Sequence, residues 1–389
     1  MKTAKMHLLL LFIALGFLSC TPEQTNGYTY DIPVPGEDGW EVISADEVGL
    51  NIPQLEETID YINATAGHNI HSILIFKDDK LVFEKYFEGY LYSTNPPGSN
   101  GEYILYNKET DHYLASVSKS VTSVIFGAAV KEGFIDDVDE RLVDVLPEYK
   151  DTLTGDKAEI TLKHLLTMSS GLHWDEWSTS FENPENDVVA LFNEADPIAY
   201  ILSKFMIGQP GQYFLYNSGG TNVLGLVIER KTGMEMLDFG NAYLFDPLDV
   251  QGGLWETIAG GYIFASGGLY LRPRELSKIG YLFLNKGYWK DTQVITEEWI
   301  TESTTSHIQP YSLIPEANGY GYQWWIMDFQ ANGQNYDCFF AAGWGDQYMF
   351  IFPEQGMIIT FNCGNFLQSG SMSIFDLVES YLLPAIIES

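Results

Sequence analysis

Basic residues are few in this chain: 20 Lys and Arg stand against 53 Asp and Glu, a formal net charge of −33 over 389 residues. A surface of that sign repels phosphate backbones and anionic headgroups, so no nucleic-acid partner is expected. Cysteine is scarcer still. Of three, neither Cys338 nor Cys363 has His or Cys nearby at metal-ligand spacing, and no HExxH, zinc-type cysteine cluster, GxGxxG or P-loop occurs. No metal and no organic cofactor is therefore expected, which leaves the chemistry to ordinary side chains. Internal repeats and long low-complexity linkers are also missing.

What the chain does have is apolar mass. A hydrophobic content of 46%, with 14% aromatic, is enough for one large core or two intimate ones. At the N-terminus, Lys2 and Lys5 precede an apolar run from Leu8 to Leu18 that is too short to span a bilayer and ends at Ser19-Cys20. That pattern resembles a bacterial lipobox, with Phe17 where Leu is more usual. The expectation is a lipoprotein-type signal over 1–19, lipidation at Cys20, a tether and entry segment over 20–44, and one domain over 45–389. The protein would then be exported, periplasmic or in the cell envelope, and would touch the membrane only through its lipid anchor. Oligomeric state has no sequence signal.

Residues 71–90 alternate apolar and polar on either side of Asp78-Asp79-Lys80, as a β-hairpin does. From about 116 to 300 the spacing is mostly helical, and from 319 four strand-like segments follow one another with short turns. Residues 371–387 read as a closing helix, and 93–102 as a Pro/Gly/Ser/Asn-rich loop. The economical fold is α+β: one antiparallel sheet built from the N- and C-terminal segments, flanked by helices, with an inserted helical lobe and a cleft between. In such a meander Cys338 and Cys363 lie on strands that flank a middle one, too far apart to form a disulfide.

Three stretches carry candidate chemistry. In "HYLASVSKSVTSV", residues 112–124, Ser116 and Lys119 share a helix face, so the amine reaches the hydroxyl and, with its pKa depressed by burial, could take the hydroxyl proton. The first-turn N–H groups could hold an oxyanion. A Ser at a helix start is equally a cap. In "YNSGGTNVLGLVIERKTG", Tyr216, Asn217 and Ser218 occupy the loop before a helix that ends near Gly233. In "AAGWGDQYMFIFP", Gly343 and Gly345 interrupt a strand, which marks a bulge or the close approach of a ligand or backbone.

Taken together in this order and spacing, the three resemble the serine β-lactamase and penicillin-recognising superfamily, in its class C-like branch. The stretches "ITLKHLLTMSSGLHWDEW", "GGLYLRPRELSKIGYLFLNKGYW" and "GYGYQWW" are similar to that branch as well. The resemblance implies a β-lactamase/transpeptidase-like fold and an acyl-enzyme mechanism. Ser116 would be the nucleophile, Lys119 the group that polarises it, and Tyr216 the proton relay to the leaving group. The backbone N–H groups of Ser116 and Gln347 would form the oxyanion hole, with Ser218, Trp344, Gly345 and Asp346 facing substrate.

Three departures bear on substrate. Ser218 stands where an Asn is usual, which alters amide positioning. Trp344-Gly345-Asp346 occupies the Lys-Thr-Gly position, so the cation that would meet a β-lactam carboxylate gives way to an apolar wall. Asp346 replaces a glycine and is read as a solvated surface charge. The function expected is hydrolysis of a small ester or amide. A D-amino-acid peptidase or weak β-lactamase is the alternative among enzymes, and a penicillin-binding-like recognition protein with little turnover is the alternative of another class. His112, His164 and His173 are read as structural, and Trp174, Asp175, Glu176 and Trp177 as a loop lining the cleft.

Overall fold

The computed structural model describes residues 27–311, 313–367 and 370–387; the apolar run and Cys20 lie outside them. Eight strands form the main sheet: β1 (Glu41–Val42), β2 (Ile70–Lys77), β3 (Lys80–Tyr86), β4 (Gly319–Tyr320), β5 (Trp325–Ala331), β6 (Gln334–Gly343), β7 (Gln347–Phe352) and β8 (Met357–Cys363). Their order across the sheet is β1-β3-β2-β8-β7-β6-β5-β4, so the N-terminal hairpin and the C-terminal meander join at β2 and β8. Every pairing is antiparallel except that of the short edge strand β1 with β3. The β2–β3 turn places both Asp78 (φ 49°) and Asp79 (φ 68°) in the left-handed region, the geometry that matches the twist of a tight hairpin.

Both faces of the sheet are buried, so the central strands are apolar nearly throughout rather than alternating with polar residues. Along β2, Leu74 and Phe76 enter one core while Ile73 and Ile75 enter the other. In β7, Met349 and Ile351 oppose Phe350 and Phe352 in the same way. The first core lies under the inserted lobe and is built around α2 (Val117–Lys131), α3 (Ser218–Thr232) and α4 (Pro273–Leu284). The second lies under α1 (Ile52–Ala64) and the closing helical turns, Ile374–Leu377 and onward. Local sequence fixes the helix ends. Asn51 caps α1, Asn217 caps α3 through the Gly220 N–H at 2.9 Å, and α3 stops where Gly233 turns left-handed at φ 72°.

Two regions differ from the sequence expectation. The stretch 93–102 is not a loop: Glu88–Thr94 and Pro97–Leu105 pair as a separate hairpin about the Asn95-Pro96 turn. Its Ser, Asn and Gly residues read as loop because the strands are largely exposed and have no apolar alternation to report. The second region is the entry segment, which is packed rather than loose from Tyr28 onward. The Tyr30 hydroxyl donates to Val82 O at 2.8 Å, and Trp40 is buried against Phe76 and Trp289. The Arg274 guanidinium, 2% exposed, bonds Glu84, Asp38 at 2.9 Å and Val34 O at 2.8 Å, pinning the strap with a fully satisfied buried fork.

Cys338 on β6 and Cys363 on β8 are both free and buried, with β7 between them. Two strand spacings amount to about 10 Å, beyond the roughly 7 Å a disulfide can bridge. Alkylation without reductant should leave both thiols unmodified in the native protein and modify both in denaturant, read by peptide mass spectrometry. A Cys338–Cys363 crosslinked peptide would contradict the strand order.

Candidate active site

Ser116 stands between a two-residue strand, His112–Tyr113, and the first turn of α2. The residue before it, Ala115, is held at φ 46°, a conformation that costs a non-glycine residue energy and that presents the following side chain sharply. Ser116 makes no side-chain cap, which removes the structural explanation for a serine here. Its hydroxyl instead meets Lys119 Nζ at 2.9 Å, and Lys119 Nζ also bonds Ser266 O at 2.8 Å. Lys119 is 2% exposed, and burial lowers its pKa to about 8 against an opposing pull from the Glu176 charge.

Tyr216 completes the group. Its ring lies 4.8 Å from Lys119 Nζ and stacks on Trp325, and its phenol borders the same cavity as Ser116. Burial pushes this phenol far up, with the Glu176 charge adding to the effect, so it stays protonated across the physiological range. The structure thus brings Ser116, Lys119 and Tyr216 together as the sequence predicts.

The β6–β7 turn closes the other side. A Cβ on Gly343 would sit 2.4 Å from Leu114 O and 3.2 Å from Ser116 N, so only glycine lets this strand press against the loop that carries Ser116. Trp344 packs on Phe181 and Phe366 and forms an apolar wall. Among the described residues the backbone N–H groups of Ser116 and Trp344 donate to no backbone acceptor. Gln347 does not border the cavity. Its wholly buried side chain ties Gly345 O at 2.9 Å and Cys363 O at 2.6 Å, which holds the turn's shape.

Asp346 is not a solvated surface charge. Held at φ 63°, it borders the cleft and accepts from Asn365 Nδ2 at 2.7 Å, and burial raises its pKa against that bond and one to Tyr348. Its orientation depends on Asn365, remote in sequence, and no local pattern could report it.

Two lobes of cavity meet at Ser116. One, about 650 Å³, is lined by Tyr216, Trp325, Gly345 and Asp346, and the other, about 560 Å³, by Tyr92, Glu176, Phe181 and Ser218. Trp344 borders both, and no Lys, Arg or His is among their lining residues. Glu176 is the residue that sequence reasoning left without a role. It is 3% exposed and accepts from Trp174 Nε1 at 2.6 Å and the Ser218 N–H at 3.2 Å. Trp174 and Glu176, two apart in an extended stretch, share a side, which is the one signal the sequence offered. Ser218 therefore borders the cavity with its backbone N–H already engaged.

The histidines are structural. His112 bonds His71 and Tyr113 O in a buried pair that desolvation keeps neutral, His164 closes a capping box with Thr161, and His173 stacks on Phe205.

Gly343→Ala should lower the rate of covalent modification of Ser116 at least about tenfold and destabilise the fold by about 1–3 kcal/mol, the usual cost of overpacking. Fluorophosphonate labelling and thermal melts read the two effects. An alanine variant unchanged in both would mean that the turn does not press on the loop that carries Ser116.

The chain matches the Beta-lactamase family over residues 58–363. It is 22% identical over 303 residues to the 6-aminohexanoate-dimer hydrolase of Paenarthrobacter ureafaciens, covering 73% of this chain and 69% of that protein. Over 158 residues it is 34% identical to the lovastatin esterase of Penicillium rubens, 36% of this chain and 38% of the other. The octameric penicillin-binding protein homologue from Pyrococcus abyssi superposes with a TM-score of 0.66 at 21% identity, covering 85% of this chain and 77% of that one, which is a likeness of fold. With a matched span of this extent carrying the Ser116, Lys119 and Tyr216 cluster, the chain belongs to the β-lactamase family and is a serine hydrolase of that family.

Proposed function

We propose that the protein hydrolyses a small ester or amide through a covalent acyl-enzyme on Ser116. The observation that carries this reading is the 2.9 Å contact between Ser116 Oγ and a buried Lys119 whose pKa lies near 8. A neutral Lys119 takes the hydroxyl proton as Oγ attacks the carbonyl carbon. The carbonyl oxygen takes up the displaced electron pair and is held by the N–H of Ser116 and, rather than that of Gln347, the N–H of Trp344, which borders the cavity beside it. Tyr216, kept protonated by burial, hands a proton to the leaving alkoxide or amine and is reprotonated from Lys119. Water then attacks the ester of Ser116 by the same steps in reverse.

Substrate preference follows from the walls. Trp344 offers an apolar face, and among the described residues that line the cavity the ionisable carboxyls are Glu176, Glu256 and Asp346, with no Lys, Arg or His to receive a substrate carboxylate. That disfavours the β-lactamase alternative and favours acyl groups without a negative charge; that the substrate is an ester or amide is in keeping with the names of the relatives. Export as a lipoprotein through Cys20, to the periplasm or cell envelope, belongs to the same proposal.

Ser116→Ala should abolish fluorophosphonate labelling and turnover, while Lys119→Ala and Tyr216→Phe each lower kcat by about two to four orders of magnitude. Wild type should turn over a neutral p-nitrophenyl ester with higher kcat/KM than a carboxylate-bearing cephalosporin. Near-normal turnover in Ser116→Ala would sink the mechanism; the reverse substrate order would sink the preference.

A further inference from the structure

Two buried groups of opposite charge beside the cleft lack counter-ions of their own. Lys119 Nζ has only neutral partners, Ser116 Oγ and Ser266 O. The Glu176 carboxylate likewise has Trp174 Nε1 and the Ser218 N–H. Neither is in an ion pair among the described residues, and both are nearly inaccessible to solvent, at 2% and 3% exposed. An uncompensated charge in such surroundings is costly, whereas attraction between charges weakens only slowly with distance where solvent is excluded. The titratable groups that face Glu176 are Lys119, Tyr216 and Tyr320, and both phenols are held neutral by burial. Glu176 lines the same lobe of the cavity as Ser116 and Ser266, the two residues that Lys119 Nζ bonds, so each is the counter-charge within reach of the other.

We propose that Glu176 is a positioning residue for the Ser116–Lys119 pair: docked at the head of α3, its carboxylate stabilises the ammonium that Lys119 becomes on taking the Ser116 proton. This rests on the reading of Ser116 as nucleophile. The charge balance is direct. Burial raises the Glu176 carboxyl above its usual range, while the Lys119 charge and the groups of Ser218 and Trp174 pull it back down. The form that attacks has a neutral Lys119 facing the Glu176 carboxylate. After attack, the proton from Ser116 Oγ sits on Lys119 Nζ, the Oγ electron pair forms the bond to carbon, and the ammonium faces Glu176. Without that carboxylate Lys119 loses its proton more readily at rest, yet the ammonium formed in the reaction is unsupported. The two effects have opposite signatures in a pH profile, which a purely structural residue does not produce.

The test is the rate of Ser116 labelling by a fluorophosphonate across pH in wild type, Glu176→Gln and Glu176→Asp, with thermal melts to check folding. In the Gln variant the acid limb should move down by about one pH unit, within what an opposite charge imposes, and the plateau rate should fall about tenfold, the same free energy read kinetically. The Asp variant, which keeps the charge, should hold the limb near its wild-type position. A Gln variant slowed by one factor at every pH, or not slowed at all, overturns the proposal. Wild-type protein that is not labelled at Ser116 would instead remove the nucleophile reading on which it rests, and that outcome is visible before any variant is compared.

Discussion

A lysine buried so completely that its pKa falls to about 8 is the constraint around which the cleft is built. Exposed, Lys119 would be an ammonium with nothing to offer Ser116; buried, it can play the part proposed for it, accepting the hydroxyl proton as Ser116 attacks. Burial requires walls on every side. Tyr216 covers one face, Ser266 O takes one hydrogen, and the β6–β7 turn approaches the adjoining loop at Gly343. Each of these comes from a different part of the chain.

The fold is what makes that convergence possible. Joining β2 to β8 closes a single sheet from segments far apart in sequence, and the inserted lobe is then held against its face, with α2 beside β6. Because both faces of the sheet are buried, the register of β6 and β7 is fixed by two cores at once, and the turn between them cannot slide relative to Ser116. The strap over 28–40, clamped by Arg274, anchors the opposite edge of the sheet.

Much of this is legible locally. Ser116 and Lys119 announce themselves by helical spacing, the hairpin by Asp78-Asp79, and the end of α3 by Gly233, since each depends on residues within a few positions. The illegible parts depend on distant partners. Asp346 is turned by Asn365, Gln347 is occupied with Cys363 O, and Glu176 is placed by the head of α3, none of which spacing can encode. The exposed hairpin at 88–105 escaped notice for another reason: polar strands held up by one partner leave no apolar periodicity.

The state of Lys119 can be observed without any substrate. Lysines labelled with ¹³C at Cε can be followed by NMR through a pH titration, with the Lys119→Ala spectrum identifying the resonance. One lysine titrating near pH 8, well below the ordinary 10.5, is the result the structure requires. If Lys119 titrated with the exposed lysines at its ordinary value, the buried base would not exist and the account of the cleft would fail.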